Sequence, residues 1–118
     1  MQPVYLTGHS RPVHKVLHNT DGDLLFTCSD DGTVCMYDTR QLVRTGVFHV
    51  KEAVRSIDVT EDSKYVVAAA TTVGFRVYNT ANGDLVNTVE VPGLQSKQVS
   101  FAFGNKYLLC LYDVEKKS

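Results

Sequence analysis

The sequence predicts an all-β chain built from repeated four-stranded units, and three observations carry that reading. The apolar segments are short and rich in Val, Tyr, Phe and Thr. Turn chemistry interrupts them about every ten residues, the spacing of a sandwich or propeller. The pattern also returns on itself: Val13 aligns with Val54, Leu24 with Tyr65, Tyr37 with Tyr78 and Asp38 with Asn79, each 41 residues on. A partial third copy follows at 42, pairing Val59 with Phe101, Tyr65 with Tyr107 and Ala70 with Tyr112.

Taken in order, the candidate strands of the first stretch are Val4–Leu6, Val13–Leu17, Leu24–Cys28, Thr33–Tyr37 and Thr45–His49. The second stretch offers Val54–Val59, Tyr65–Ala70, Phe75–Tyr78 and Leu85–Val91, and the third Gln98–Phe103 and Tyr107–Tyr112. Between them stand "NTDGD", "SDDG", "TEDS", "ANGD", "VPG" and "GNK". Each supplies Asn, Asp, Ser or Gly, which tolerate positive φ or close a turn through a side-chain oxygen. No window sustains the i, i+3, i+4, i+7 apolar pattern of a helix. "DLLFTC" and "YVVAAA" are apolar on both faces, so both faces must be covered, as they are when sheets stack on sheets. A single four-stranded unit cannot do this, which is why the pattern has to recur.

Composition narrows the function classes. A chain of 118 residues with 43% hydrophobic and 21% charged residues has the make-up of one globular unit. A formal charge of −1 argues against holding nucleic acid by bulk electrostatics. No apolar run approaches the ~20 residues that cross a bilayer, and "MQPVYLTGH" lacks the basic and apolar regions of a secretory signal. Cys28, Cys35 and Cys110 have no C-x-x-C spacing and are expected to be buried, reduced thiols. The absence of an Asn-x-Ser/Thr sequon agrees with an intracellular chain.

The remaining motifs point away from catalysis. His14 and His18 stand four apart, which on a strand separates them by about 13 Å, too far to share a metal ion. Asp21, Asp23, Asp30 and Asp31 are turn formers and lack the further ligands of a calcium loop. Neither Gly-x-x-x-x-Gly-Lys nor Gly-x-Gly-x-x-Gly occurs. The sequence therefore predicts no enzyme, no cofactor and no metal.

A period of about 40–45 residues with four strands per unit is that of the WD40 propeller repeat. Gly8-His9, then Asp31-Gly32-Thr33-Val34, then Tyr37-Asp38 resembles that family's frame, with Tyr in place of Trp. The resemblance implies a structural network of His9, Thr27 or Ser29, Asp31 and Tyr37, hydrogen-bonded in series to satisfy buried polar groups. The same residues invite a Ser/His/Asp hydrolase reading. No Gly-x-Ser-x-Gly elbow accompanies them, so the structural role is expected. The second unit departs from the frame: Val50 follows His49, the turn Asp gives way near Thr72, and Tyr78-Asn79 closes the strand. Its polar network is expected to be incomplete.

"LTGHSRPV", "GDLLFTCSDD", "SIDVTEDSKYVVAAA" and "QVSFAFGNKYLLCL" together resemble the WD40 family of subunit i of eukaryotic translation initiation factor three. The resemblance runs from Val4 to about Leu111 and matches two blades and the opening of a third. It implies a cytoplasmic, non-catalytic scaffold in 43S pre-initiation complex assembly and mRNA recruitment. Its partners would be the other subunits of that factor and, through them, the small ribosomal subunit, with no direct nucleic-acid or membrane binding. A general WD40 adaptor of RNA-processing or receptor-kinase signalling assemblies is the alternative. On this resemblance residues 3–6 form the outer strand of the closing blade, 8–49 the first blade, 50–91 the second, 92–113 the start of a third, and 114–118 a charged tail. The propeller is expected to be incomplete, since such rings need roughly seven such units.

Overall fold

In the computed structural model, residues 3, 8–70, 74–89, 94–102 and 107–114 are described, the last two ranges through their backbone alone. Four strands, β1 (Val13–His18), β2 (Leu24–Ser29), β3 (Thr33–Asp38) and β4 (Val43–His49), form one antiparallel sheet in chain order. A second sheet repeats this with β5 (Val54–Val59), β6 (Tyr65–Ala70), β7 (Gly74–Asn79) and β8 (Leu85–Val89). A hairpin of β9 (Leu94–Ala102) and β10 (Tyr107–Val114) follows. Among the described residues there is no helix long and apolar enough to cross a membrane. The expected strand Val4–Leu6 and the end of the tail, 115–118, lie outside the described residues.

Three strands begin earlier than the apolar pattern alone predicts, β7 by a single residue at Gly74. β4 starts at Val43 rather than Thr45, because a bulge at Thr45 lets the ladder continue through Tyr37↔Arg44 and Asp38↔Val43. β9 starts at Leu94 rather than Gln98, again beyond a bulge. The irregularities repeat with the sequence period. Register shifts fall between Val13 and Lys15 and between Val54 and Ser56, and between Met36 and Tyr37 and between Val77 and Tyr78. The first strands of successive units run side by side, β5 flanked by β1 and by β9. That is the arrangement of stacked propeller blades.

The main core lies between the two sheets. Phe26, Cys28, Val34, Met36 and Phe48 of the first meet Val50, Val54, Ile57, Val66, Ala68, Ala70 and Tyr78 of the second. Side chains alternate between faces along a strand, so Val67 and Ala69, with Phe75, form a separate cluster on the far face of the second sheet. This two-sided burial explains the unbroken apolar run in "YVVAAA". Val54 and Ile57 share a face although three residues apart, because the bulge at Arg55 resets the alternation. The rings of Phe48 and Tyr78 meet across the sheets at 5.6 Å and 51°, a tilted aromatic pair. Burying each large side chain here contributes about 1.5–3 kcal/mol.

Polar links also join the sheets at both ends. Asn19, buried in the β1–β2 turn, donates from Nδ2 to Ser63 Oγ of the β5–β6 turn at 3.0 Å. At the other end, the carbonyl of Gly32 accepts from the amides of Val50 and Lys51 at 2.9 and 3.0 Å. Gly32 has φ +84, and a Cβ there would lie 3.1 Å from the Glu52 nitrogen. Only glycine serves both the turn and the close approach of the next unit's loop.

Candidate functional site

The loop before β1 is latched to the first sheet by the residues that the repeat frame singles out. Asp31 sits in the β2–β3 turn, where Asp-Gly chemistry reverses the chain. Its Oδ1 accepts from the Thr33 amide at 2.9 Å and the Thr33 hydroxyl at 2.6 Å. Its Oδ2 faces His9 Nδ1 at 2.9 Å and accepts from the Ser10 amide at 3.1 Å. On the other side of the ring, His9 Nε2 lies 2.5 Å from the Thr27 hydroxyl of β2. Thr27 in turn is hydrogen-bonded to Tyr37 on the neighbouring strand. The series Asp31, His9, Thr27, Tyr37 thus spans the loop, the turn and two strands.

Donor and acceptor roles follow from chemistry. A carboxylate only accepts, so His9 carries hydrogen on Nδ1; in the neutral ring Nε2 accepts from the Thr27 hydroxyl. Burial works against the charge on Asp31, but hydrogen bonds from Thr33, His9 and Ser10 outweigh it and hold the carboxyl at about 2. Burial, followed by the neighbouring Cys35, pushes the Tyr37 hydroxyl upward. The side chains of His9 and Asp31 are only 7% and 9% exposed. Thr27 is 8% exposed, and its hydroxyl is taken by groups on both sides. Both sides of that hydroxyl are therefore occupied by hydrogen-bond partners. Leaving any one of these groups orphaned would cost about 1–3 kcal/mol.

Gly8 has a steric reason to precede His9. A Cβ at position 8 would collide with the Tyr37 hydroxyl, whose ring is held in place by burial. Cys35 lies beneath the same loop, its Sγ 3.8 Å from the Gly8 carbonyl. Cys28 and Cys35 are buried free thiols, and burial pushes Cys28 up to about 11. The side chain of Cys110 lies outside the described residues.

Of the two hydroxyls that the sequence left open, Thr27 stands in the series and Ser29 does not. Ser29 Oγ accepts from the Asp31 amide at 3.1 Å and donates to the Arg11 carbonyl at 3.0 Å, which fixes the turn from below. The two hydroxyls share one face of β2, and position along the strand separates them: Ser29 lies two residues further toward the turn, at the level of Arg11 and the Asp31 amide. Thr33 and Ser10 are members that sequence reasoning missed. The Asp-x-Thr spacing of Asp31 and Thr33 is the signal that could have found Thr33, because an Asp side chain commonly binds backbone two residues on.

The second sheet replaces this network with packing. The positions corresponding to His9, Thr27 and Ser29 hold Val50, Ala68 and Ala70, all buried, while Tyr78 corresponds to Tyr37. Burial raises the Tyr78 hydroxyl, with Arg76 acting against that shift. Thr72, at the place of the turn Asp, lies outside the described residues. His14 is not an isolated surface histidine: its Nε2 is 2.6 Å from Asp30 Oδ1, and Arg55 Nε of the second sheet is 3.6 Å from the same oxygen.

The family model described as "WD domain, G-beta repeat" matches residues 2–38. Over 96% of its length the chain is also similar to curated proteins named eukaryotic translation initiation factor 3 subunit I. It is 35% identical to that of Candida glabrata, 33% to that of Dictyostelium discoideum and 32% to that of Saccharomyces cerevisiae. It spans about a third of the length of these relatives, 33%, 34% and 33% respectively. The all-β architecture of stacked four-stranded sheets thus accompanies a WD-repeat match over residues 2–38 and similarity to relatives named eukaryotic translation initiation factor 3 subunit I.

Proposed function

We propose that the chain is a non-catalytic interaction scaffold that works within translation initiation factor 3 in the cytoplasm. In this reading it contributes to 43S pre-initiation complex assembly and mRNA recruitment by protein contact. It touches other subunits of the factor, and through them the small ribosomal subunit, without binding nucleic acid itself. The observation that carries the reading is similarity over 96% of the chain to relatives named subunit I of that factor. The latch supports it, because His9, Asp31 and Thr27 are committed to holding a loop and are closed to a substrate. Residues 8–49 and 50–91 then act as two blades, and 92–113 open a third.

Affinity purification of the tagged chain from its own cells, followed by mass spectrometry and gradient sedimentation, tests this. Other factor-3 subunits should be recovered, with a fraction sedimenting with the small ribosomal subunit. Recovery with a splicing or receptor-kinase assembly instead would favour a general adaptor and overturn the proposal.

A further inference from the structure

The turns that lead into the two outer strands, β4 and β8, are built alike. In the first, Asp38 Oδ1 accepts from the Arg40 and Gln41 amides, each at 2.8 Å, and the Leu42 amide donates to the Asp38 carbonyl at 2.9 Å. In the second, Asn79 Oδ1 accepts from the Ala81 amide at 2.8 Å, and the Gly83 amide donates to the Asn79 carbonyl at 2.8 Å. Thr39 and Thr80 tie the turns to the neighbouring loops, donating to the carbonyls of Gly22 and Ser63 at 2.7 and 2.6 Å. Both turns close on a residue in the left-handed region, with φ 78 at Gly83 and φ 60 at Leu42. Glycine takes that conformation freely and leucine does not.

No contact within the chain offsets the strain at Leu42. Ser63 and Lys51 also have positive φ, but each joins the sheets: Ser63 Oγ accepts from Asn19, and the Lys51 amide donates to Gly32. Leu42 is 48% exposed and belongs to neither core cluster, and Val43 beside it is 47% exposed. A Cβ at Gly83, the equivalent position, would meet nothing within 4 Å, so this corner of the turn faces open space. Arg40 and Arg44 flank the apolar pair, are exposed, and join no ion pair among the described residues. The second turn holds Ala81, Gly83, Asp84 and Leu85 at these four places, so the turn itself needs neither the cations nor the leucine. Strain that packing does not explain points to function.

These side chains border an open strand edge. Among the described residues no strand pairs along the outer side of β4, and Val43, Arg44 and Thr45 are exposed. Val43 and Arg44 pair with Asp38 and Tyr37 in turn, so their side chains stand on opposite faces. A strand added here would set an apolar residue beside Val43 and an acidic one beside Arg44. We infer that the start of β4 is a docking edge for an extended segment of a partner protein that alternates apolar and acidic residues, with Leu42 as the apolar anchor. The edge selects polypeptide over lipid or nucleic acid, because only another strand pairs in register with its N–H and C=O groups. The inference rests on the scaffold reading only in supposing that the chain acts by contact.

The test is fluorescence anisotropy on the whole chain, in the assembly it forms, with a labelled peptide of alternating Val and Glu. A peptide of alternating Val and Lys and vesicles of phosphatidylserine and phosphatidylcholine are the competing probes. The Val-Glu peptide should bind in a salt-sensitive manner. Leu42→Gly, which installs the second turn's residue, should weaken it about tenfold without lowering the melting temperature. Arg40→Ala should weaken it similarly and leave the melting temperature unchanged. Circular dichroism checks that each variant keeps its sheet content. Absence of binding by the folded wild type, unchanged binding by either variant, or a lower melting temperature for Leu42→Gly would overturn the inference. So would equal binding of the Val-Lys peptide, tighter binding of the vesicles, or dissociation of the assembly by Leu42→Gly, which would make a second copy the occupant. Recovery of initiation-factor subunits is read independently, so either proposal can fail alone.

Discussion

Val50 stands in the second sheet where His9 stands in the first, four residues before the first strand and 41 residues on in sequence. His9 reaches Asp31 and Thr27 through both ring nitrogens; Val50 is 2% exposed and packs with Ala68 and Tyr78 in the main core. One architecture therefore uses two solutions at the same place. The polar one costs more to break in part than to replace as a whole, since a half-satisfied network leaves buried groups unpaired.

A double-mutant cycle follows from this. His9→Val and Thr27→Ala should each destabilise by about 1–3 kcal/mol, because each strands partners of the residue it removes. Together they should cost less than their sum by about 1 kcal/mol or more, as expected for members of one network. Denaturant melts of the four proteins measure it, and strict additivity would show that the two side chains do not act in series.

The converse substitution is Ala68→Thr, which places a hydroxyl in the second sheet with no histidine to meet it. It should destabilise by about 1–3 kcal/mol, through an unpaired buried hydroxyl and added volume in a packed core. Adding Val50→His to this variant should recover part of the loss, as read by the same melts.

Gly8→Ala should destabilise by about 1–3 kcal/mol, on the scale of a broken buried network. The added methyl group must displace the Tyr37 ring, which is 3% exposed and bonded to Thr27. Tyr37→Phe in the Gly8→Ala background should cost little more, because the hydroxyl it removes has already lost its place. Thermal melts and near-ultraviolet circular dichroism of Tyr37 report both effects.

Asp31 makes stability depend on acid. Its folded carboxyl is held at about 2 against an ordinary 3.8, so the unfolded chain takes up a proton first as pH falls. The contribution is fully present above pH 3.8 and is lost as pH falls through the folded value of about 2. The melting temperature should drop across that window, and Asp31→Asn, already destabilised at neutral pH, should show a shallower drop. Parallel slopes for the two proteins would place the acid sensitivity elsewhere.

The 118-residue polypeptide by itself should associate rather than stay monomeric. Val16, paired with Thr27 on the sheet face turned away from the main core, is 57% exposed, and Leu85 and Val86 on the outer strand β8 are about half exposed. Among the described residues, β4 and β8 also have no strand paired along their outer edges, and such edges invite further pairing. Gel filtration with light scattering should give a species larger than 13.1 kDa. A monodisperse 13.1 kDa peak with a cooperative melt would show that these faces need no cover.

The strands, the turns and the 41-residue repeat were legible in the sequence because they are local. Two-residue alternation, Asp-Gly turns and the Gly8-His9 pair are written in neighbouring letters, and "YVVAAA" announced burial on both faces. Most of the latch was legible too, since the repeat frame marks His9, Asp31 and Tyr37. Only the tertiary structure decided that Thr27 rather than Ser29 completes the series, that Thr33 joins it, and that His14 and Arg55 meet on Asp30. Those outcomes depend on cross-strand register and on how one sheet lies against the next. A single bulge, at His14 or Arg55, changes which face every later side chain takes, and no nearby residue in the sequence records it.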